Sequence, residues 1–448
     1  MLTGWPLLVI IFFAILFIVV ACTKWKLHPF LALLIATIAT GLAVGLPITD
    51  IAKTAADGFG QMMTHIGLVV ILGTLIGTVL EKTGATLRIA DSIISLFGKD
   101  KPVIAITIIG VVVGIPIFCD SGYVILSGLT RPLAKESGKS YPAIVGGLSG
   151  GLYITHTLLP PHPGSLAGAA NLGVGGHLGV VIMMGLIISI PVAIVTGLFA
   201  NKFTSRFNVP LEDNEVIEKD NVELPSLTKS LLPVIVPVLL IALGSLAAIL
   251  QLPEQLNKWL QFIGSPLIAL LIGLALSLLL IKKQERSLFE RWMKEGAAHA
   301  GPILILVGAG GVFGNLLKKT PLADMVQQWV SGDASLGHLS ILLIAFAIGA
   351  LLKTAQGSTT SAIIIATSIL GPIAPVAGFD RPIELSLLLS ATAAGAMMIS
   401  HANDAYFWVI SQFSGLNMQQ TYRTFSLSTI VLGVTTILVV LLISLFVF

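Results

Sequence analysis

Charge is scarce in this chain: Asp, Glu, Lys and Arg together make up 10% of its 448 residues, against 55% hydrophobic. A soluble domain of this length needs far more charge on its surface, so a water-soluble enzyme is excluded. Cysteine is nearly absent. Cys22 and Cys119 are the only two, both in apolar surroundings, which rules out a disulfide framework and a cysteine-built zinc site. No polar stretch is long enough to bury a core of its own; the longest, Asn201 to Lys229, is acidic between Glu212 and Asp220 and reads as a linker. The formal net charge of +3 is spread over short loops and gives no sign of a nucleic-acid partner.

What the chain has instead is long apolar runs, such as Trp5 to Cys22, Pro29 to Leu46 and Ser426 to Phe448, each sufficient to cross a bilayer core. The first has neither a basic segment before it nor a clean small-residue cleavage site, so it reads as a retained helix rather than a signal peptide. Spans are expected at residues 4–22, 28–46, 66–81, 141–158, 177–201, 230–250, 265–282, 301–317, 384–400 and 424–448. Two further apolar segments, 103–130 and 338–377, are broken in the middle by small and polar residues. Short amphipathic helices are expected at 86–97 and 323–330.

The two halves resemble each other. His28 to Ile35 (HPFLALLI) matches Ser265 to Ile272 (SPLIALLI), and Gly77 to Thr83 (GTVLEKT) matches Gly314 to Thr320 (GNLLKKT). Cys119 to Gly122 falls opposite Thr354 to Gly357, and Thr155-His156 falls opposite Ser400-His401, all in the same order. Basic loops alternate oppositely in the two halves: Lys24 and Lys26 follow the first span, whereas Lys282, Lys283, Arg286, Arg291 and Lys294 follow the second span of the later repeat. By the positive-inside rule the repeats are therefore inverted, with the N-terminus outside; Lys318, Lys319 and Arg381 run against the rule. The expected architecture is an all-α polytopic membrane protein with about 10 transmembrane helices plus two broken re-entrant hairpins, arranged as two inverted repeats. Residues 1–203 form the first repeat, 204–229 the acidic linker loop and 230–448 the second repeat.

Inverted repeats with interrupted helices belong to secondary transporters. Non-helical backbone at membrane depth is tolerated only inside protein or along a wet cavity, and helix N-termini freed there favour anions. The breaks fall at Pro116–Tyr123, Thr155–Gly164, Thr354–Ser361 and Ser400–Trp408. Candidate substrate-binding residues are Asp120, Ser121, Gly122, Tyr123, Thr155, His156, His162, Gln356, Gly357, Ser358, Thr359, Thr360, Ser400, His401 and Asn403. Asp120, Asp404, His156 and His401 are candidates for carrying a coupling proton. An ionisable group at the bilayer centre costs about 2.5–3.5 kcal/mol and is rarely idle.

Each candidate also has a plainer reading. Asp120 fits a cap on the returning helix, and the two equivalent histidines fit a hydrogen bond across the repeat interface. Lys353, the only cation beside a central break, either offsets a substrate carboxylate or snorkels to the surface. His162 lies between two prolines, where its ring is free to face a cavity. Gly308, Gly310, Gly311 and Gly314 fit close helix packing better than ligand contact.

The strings IFCDSGY at 117–123, HTLLPPHPG at 156–164, GSTTSA at 357–362 and SHANDAYFW at 400–408 are distinctive. With them, nearly the whole chain resembles the gluconate permease (GntP) family of bacterial inner-membrane symporters. That resemblance implies uptake of gluconate or a related sugar acid with a proton, and an elevator-type carrier working as a homodimer in the cell inner membrane. It also leaves idonate, glycerate and D-serine open as substrates. A sodium-coupled carboxylate carrier is the alternative within transport, and a membrane-embedded hydrolase built on His156, His162, His401 and Asp404 the alternative outside it. The hydrolase is disfavoured because no metal-binding HExxH-like spacing occurs. No cofactor and no metal are expected; the partners are a small carboxylate, protons and the bilayer.

Overall fold

The computed structural model describes residues 2–97, 101–207, 209, 224–249, 253–282, 287–321, 337–401 and 404–448. Among them every regular element is helical. The first half comprises α1 (Trp5–Thr23), α2 (Pro29–Val44), α3 (Ile48–Met62), α4 (Leu68–Lys82), the amphipathic α5 (Ala85–Phe97), α6 (Pro102–Val113), α7 (Cys119–Ser137), α8 (Tyr141–Leu158), α9 (Pro163–Asn171) and α10 (Leu178–Lys202). The second comprises α11 (Leu227–Ile249), α12 (Glu254–Ile263), α13 (Pro266–Ser277), α14 (Phe289–Lys318), α15 (His338–Gln356), α16 (Thr359–Leu370), α17 (Pro382–Met397), α18 (Ala405–Ser414), the short α19 (Met418–Thr421) and α20 (Leu427–Val447).

Every expected span holds a helix, but the lengths differ from a row of full crossings. Among the described residues four helical stretches are long and apolar enough to span a bilayer, or six if two bent pairs each count as one. The others are shorter. α6 and α16 have 12 residues each and reach about 18 Å, about three-fifths of the hydrocarbon core. The cause of shortening is local: α6 stops at Gly114 before Pro116, and α16 starts only after Gly357, which holds φ 82°. Both interrupted segments thus consist of two helices joined at a break. α3, α9, α12 and α18 were not expected as separate helices. α3 continues into α4 through a single π turn at Met63–Gly67, so the helical run begins well before residue 66. The centre of the acidic linker and the segment 323–330 lie outside the described residues.

The helices pack as two groups, to which both halves of the chain contribute. In one, α14 lies against α2, α3 and α4, α13 against α4 and α11, and α1 against α2. In the other, α6 packs on α8, α15 on α17, and α10 and α20 on each other and on α8 and α17. Glycine sets the separations. A Cβ on Gly151 would lie 2.3 Å from the Thr107 carbonyl oxygen, and one on Gly349 would lie 2.4 Å from that of Thr392. The same device therefore recurs between the first arm and the following helix in each half. Gly311 meets the Gly58 carbonyl at 2.5 Å by the same measure, so the α14 glycines serve helix packing.

Candidate functional site

A cavity of about 650 Å³ opens between the two groups of helices. Its floor is a meeting of helix beginnings. Phe118 to Ser121 supply the first turn of α7, Pro163 that of α9, Ser358 to Ser361 that of α16, and Asp404 to Tyr406 that of α18. Each of the four breaks restarts a helix here because a residue that cannot continue the previous one intervenes: Pro116, the Pro160-Pro161 pair, Gly357 and the Ile399–Ser400 bend. Each beginning leaves backbone N–H groups without intrahelical partners, a setting that favours an anion; Ser358 already accepts from the Ser361 amide and Asp404 from the Tyr406 amide. The far wall comes from α2 and α14, through His28, Pro29, Ala298, His299 and Pro302. Pro302 lies inside α14 and supplies no amide for the Ala298 carbonyl on this wall.

Of the expected residues, Asp120, Ser121, His156, Gly357, Ser358, Thr359, Thr360 and Asp404 line this cavity together. Asp120 Oδ1 and His156 Nδ1 are buried with no hydrogen-bond partner among the described residues. Two polar atoms in that state on one cavity wall are the sort of group that a ligand or a proton satisfies. Asp404 is in the opposite condition. Its Oδ2 accepts from Lys353 Nζ at 2.6 Å and from the Ser400 hydroxyl, while Oδ1 caps α18 by accepting from the Tyr406 amide at 3.0 Å.

The remaining candidates lie behind the wall. Lys353 is fully buried and does not face the cavity; besides Asp404 it donates to the Gly357 carbonyl and lies 5.7 Å from the centre of the Tyr153 ring. His162 is not free: its Nε2 pairs with the Gly114 carbonyl at 2.6 Å, tying the start of α9 to the end of α6, and its ring lies 4.9 Å from that of His156. His401 pairs through Nε2 with the Thr354 carbonyl at 3.0 Å, so the two equivalent histidines have different surroundings. Thr155 and Ser400 are buried, and the Ser400 amide donates to the Thr429 hydroxyl oxygen at 3.1 Å. Gly122 and Tyr123 pack inside α7. Asn403 and the Gln356 side chain lie outside the described residues.

Sequence reasoning overlooked the aromatic lining. Tyr153 donates to or accepts from Thr359 Oγ1 at 2.7 Å and stacks with Tyr406 at 5.8 Å between ring centres. Tyr406 in turn donates to the Ser149 carbonyl at 3.1 Å. A signal existed: the chain has only five tyrosines, and Tyr153 and Tyr406 each sit within three residues of a site histidine or aspartate. Among the described residues no three His, Cys, Asp or Glu side chains gather as a metal-ion site.

Comparison with known proteins adds four findings. A family profile described as GntP family permease matches residues 5–446. The chain is 31% identical over 445 residues to a gluconate permease of Pseudomonas aeruginosa, covering 96% of this chain and 95% of that one. It is also 28% identical over 429 residues to a D-serine transporter of Escherichia coli, covering 94% of each. Among solved structures, the YdaH transporter of Alcanivorax borkumensis superposes with a TM-score of 0.66 over 98% of both chains at 15% identity, a likeness of fold.

Proposed function

The chain belongs to the GntP permease family and is an integral membrane transporter, and from that premise we propose that it imports a small hydroxylated monocarboxylate, gluconate foremost, together with a proton. The observation that carries this reading is the charge arrangement of the cavity. Four helix N-termini attract an anion, while the one nearby lysine is already neutralised by Asp404. That arrangement suits a single carboxylate better than two. Ser121, Ser358, Thr360 and Ser361, with the Ala298 carbonyl opposite, offer donors and acceptors for a row of hydroxyls. The volume lies within the range of small-molecule sites.

Of the candidate proton carriers, Asp120 and His156 are best placed, because Asp404 and His401 are already engaged in hydrogen bonds. A buried carboxylate oxygen with no partner, such as Asp120 Oδ1, is costly unless the group takes a proton or meets a cation. Monoanion and proton together move no net charge, so a pH gradient alone drives accumulation. The two helix groups, with the cavity between them, support an elevator-type movement of one against the other; a homodimer in the bacterial inner membrane is what membership of the family suggests.

The same unpaired Asp120 supports a second reading. A zwitterionic amino acid would place its carboxylate at the helix ends and its ammonium on Asp120, which is how a D-serine carrier could use this cavity. Uptake of labelled gluconate into proteoliposomes under an imposed inward proton gradient separates the two. Gradient-driven accumulation displaced by idonate or unlabelled gluconate supports the sugar-acid reading; displacement by D-serine alone moves the substrate to the amino acid. Accumulation that ignores a protonophore but requires sodium refutes the coupling.

A further inference from the structure

Lys353 raises a question that substrate binding leaves unanswered. Its ammonium is fully buried, is not among the groups that line the cavity, and donates to two oxygens drawn from separate elements. The Gly357 carbonyl lies just past the C-terminal end of α15, where the helix dipole is negative. The Asp404 carboxylate caps α18, and the Ser400 hydroxyl, in the bend after α17, bonds to the same carboxylate oxygen. The Tyr153 ring on α8 faces the ammonium at 5.7 Å. Carbonyls at half-helix ends together with a carboxylate and a hydroxyl are what transporters of broken-helix construction use to hold a monovalent metal cation.

We infer that this is a monovalent-cation site filled by a tethered ammonium, so that Lys353 performs the fixing role a bound sodium ion would otherwise perform. The lysine pins the tip between α15 and α16 to the break between α17 and α18, and it balances Asp404, which is only 7% exposed. The carrier then needs no metal ion to assemble its binding site, and removing the lysine side chain leaves oxygen ligands around a space that a small cation fills. The inference rests on the transport reading only for its consequence, sodium-independent uptake; the site itself is a matter of stability.

The test is therefore made without substrate, by thermal unfolding of the purified protein in sodium, ethylammonium and choline chloride at equal ionic strength. The wild type is expected to unfold at the same temperature in all three. K353A, and K353S, which adds an oxygen ligand, are expected to lose several degrees in choline and to recover most of the loss in sodium or ethylammonium. Adding D404A to either is expected to abolish the recovery. Sodium-specific stabilisation of the wild type overturns the inference, as do variants equally stable in every salt or variants that fold in none. Because no substrate is present, a wild type that fails to take up gluconate overturns the functional reading and leaves this result standing.

Discussion

Replacing Asp120 by Asn tests the coupling reading at its narrowest point. Asn keeps the size and shape of the side chain in the first turn of α7 and removes only its ability to exchange a proton. The site around it is otherwise complete: the Lys353–Asp404 pair is self-balanced, and the helix ends that attract the anion belong to the backbone. D120N should therefore still bind and translocate substrate. What it should lose is the link to the pH gradient. For a one-to-one electroneutral symport, each pH unit is worth about 1.36 kcal/mol and sustains about a tenfold concentration ratio, so a two-unit gradient sustains about a hundredfold. With the proton carrier removed, that ratio falls to about one.

Two measurements on the same proteoliposomes separate the steps. Counterflow, in which labelled substrate enters against unlabelled substrate inside with no gradient, reports binding and translocation and should persist in D120N. Accumulation under the gradient should vanish. H156Q is the matched control, because His156 has the other unpartnered polar atom on this wall. If D120N accumulates as the wild type does and H156Q does not, the proton belongs to the histidine. If both variants accumulate normally, the reasoning from unpartnered atoms is refuted.

Three further outcomes follow from packing and hydrogen bonding. G349A puts a Cβ 2.4 Å from the Thr392 carbonyl oxygen and should lower stability by about 1–3 kcal/mol, whereas G60A, with nothing within 4 Å, should be neutral or stabilising by up to about 1 kcal/mol; thermal unfolding of both checks the contrast. Y153F keeps the ring against Lys353 and removes the hydroxyl's bond to Thr359 and its longer one, at 3.5 Å, to the Ala396 carbonyl, so it should cost about 0.5–1.5 kcal/mol of stability and shift substrate affinity by less than about tenfold, measured by binding titration. R381A removes bonds from the guanidinium to Glu384 and to the Val447 carbonyl at the end of α20; with Glu384 still held by two backbone amides, the loss should be about 1 kcal/mol or less, with faster amide exchange confined to the C-terminal turn.

The breaks were legible in the sequence because each needed a residue type that an apolar helix avoids. Pro116, the Pro160-Pro161 pair and Gly357 interrupt otherwise continuous apolar runs, and the polar side chains that follow announce where the next helix begins. The short helices were not legible for the same reason in reverse. α9 and α18 have 9 and 10 residues, too few to give a span signal, and they are made stable by burial between larger helices. The partner of Lys353 could not be read at all. Lysine and Asp404 are separated by 51 residues, and nothing in either neighbourhood distinguishes a buried pair from two independent charges. His401 illustrates the limit of repeat reasoning: its equivalence to His156 in sequence does not extend to surroundings, since one is bonded to the Thr354 carbonyl and the other lies beside His162.

The pairing of Lys353 with Asp404 decides more than its own neighbourhood. Had the lysine faced the cavity, it would have supplied a fixed positive charge, and the helix ends would have been additional to it; a dicarboxylate would then suit the site. With the lysine neutralised, the remaining attraction for an anion comes from partial charges at four helix beginnings, spread over the floor. Attraction of that kind is sufficient to orient one carboxylate and weak enough to release it, which a carrier needs on both sides of the membrane. On the proposed reading it also leaves Asp120 as the charge whose state changes during transport. An anion arriving beside an ionised Asp120 would meet repulsion, and one arriving beside a protonated Asp120 would meet a donor, so binding of substrate and binding of the proton favour each other. On that reading, coupling follows from the arrangement of charges in the cavity and needs no separate gate for the proton.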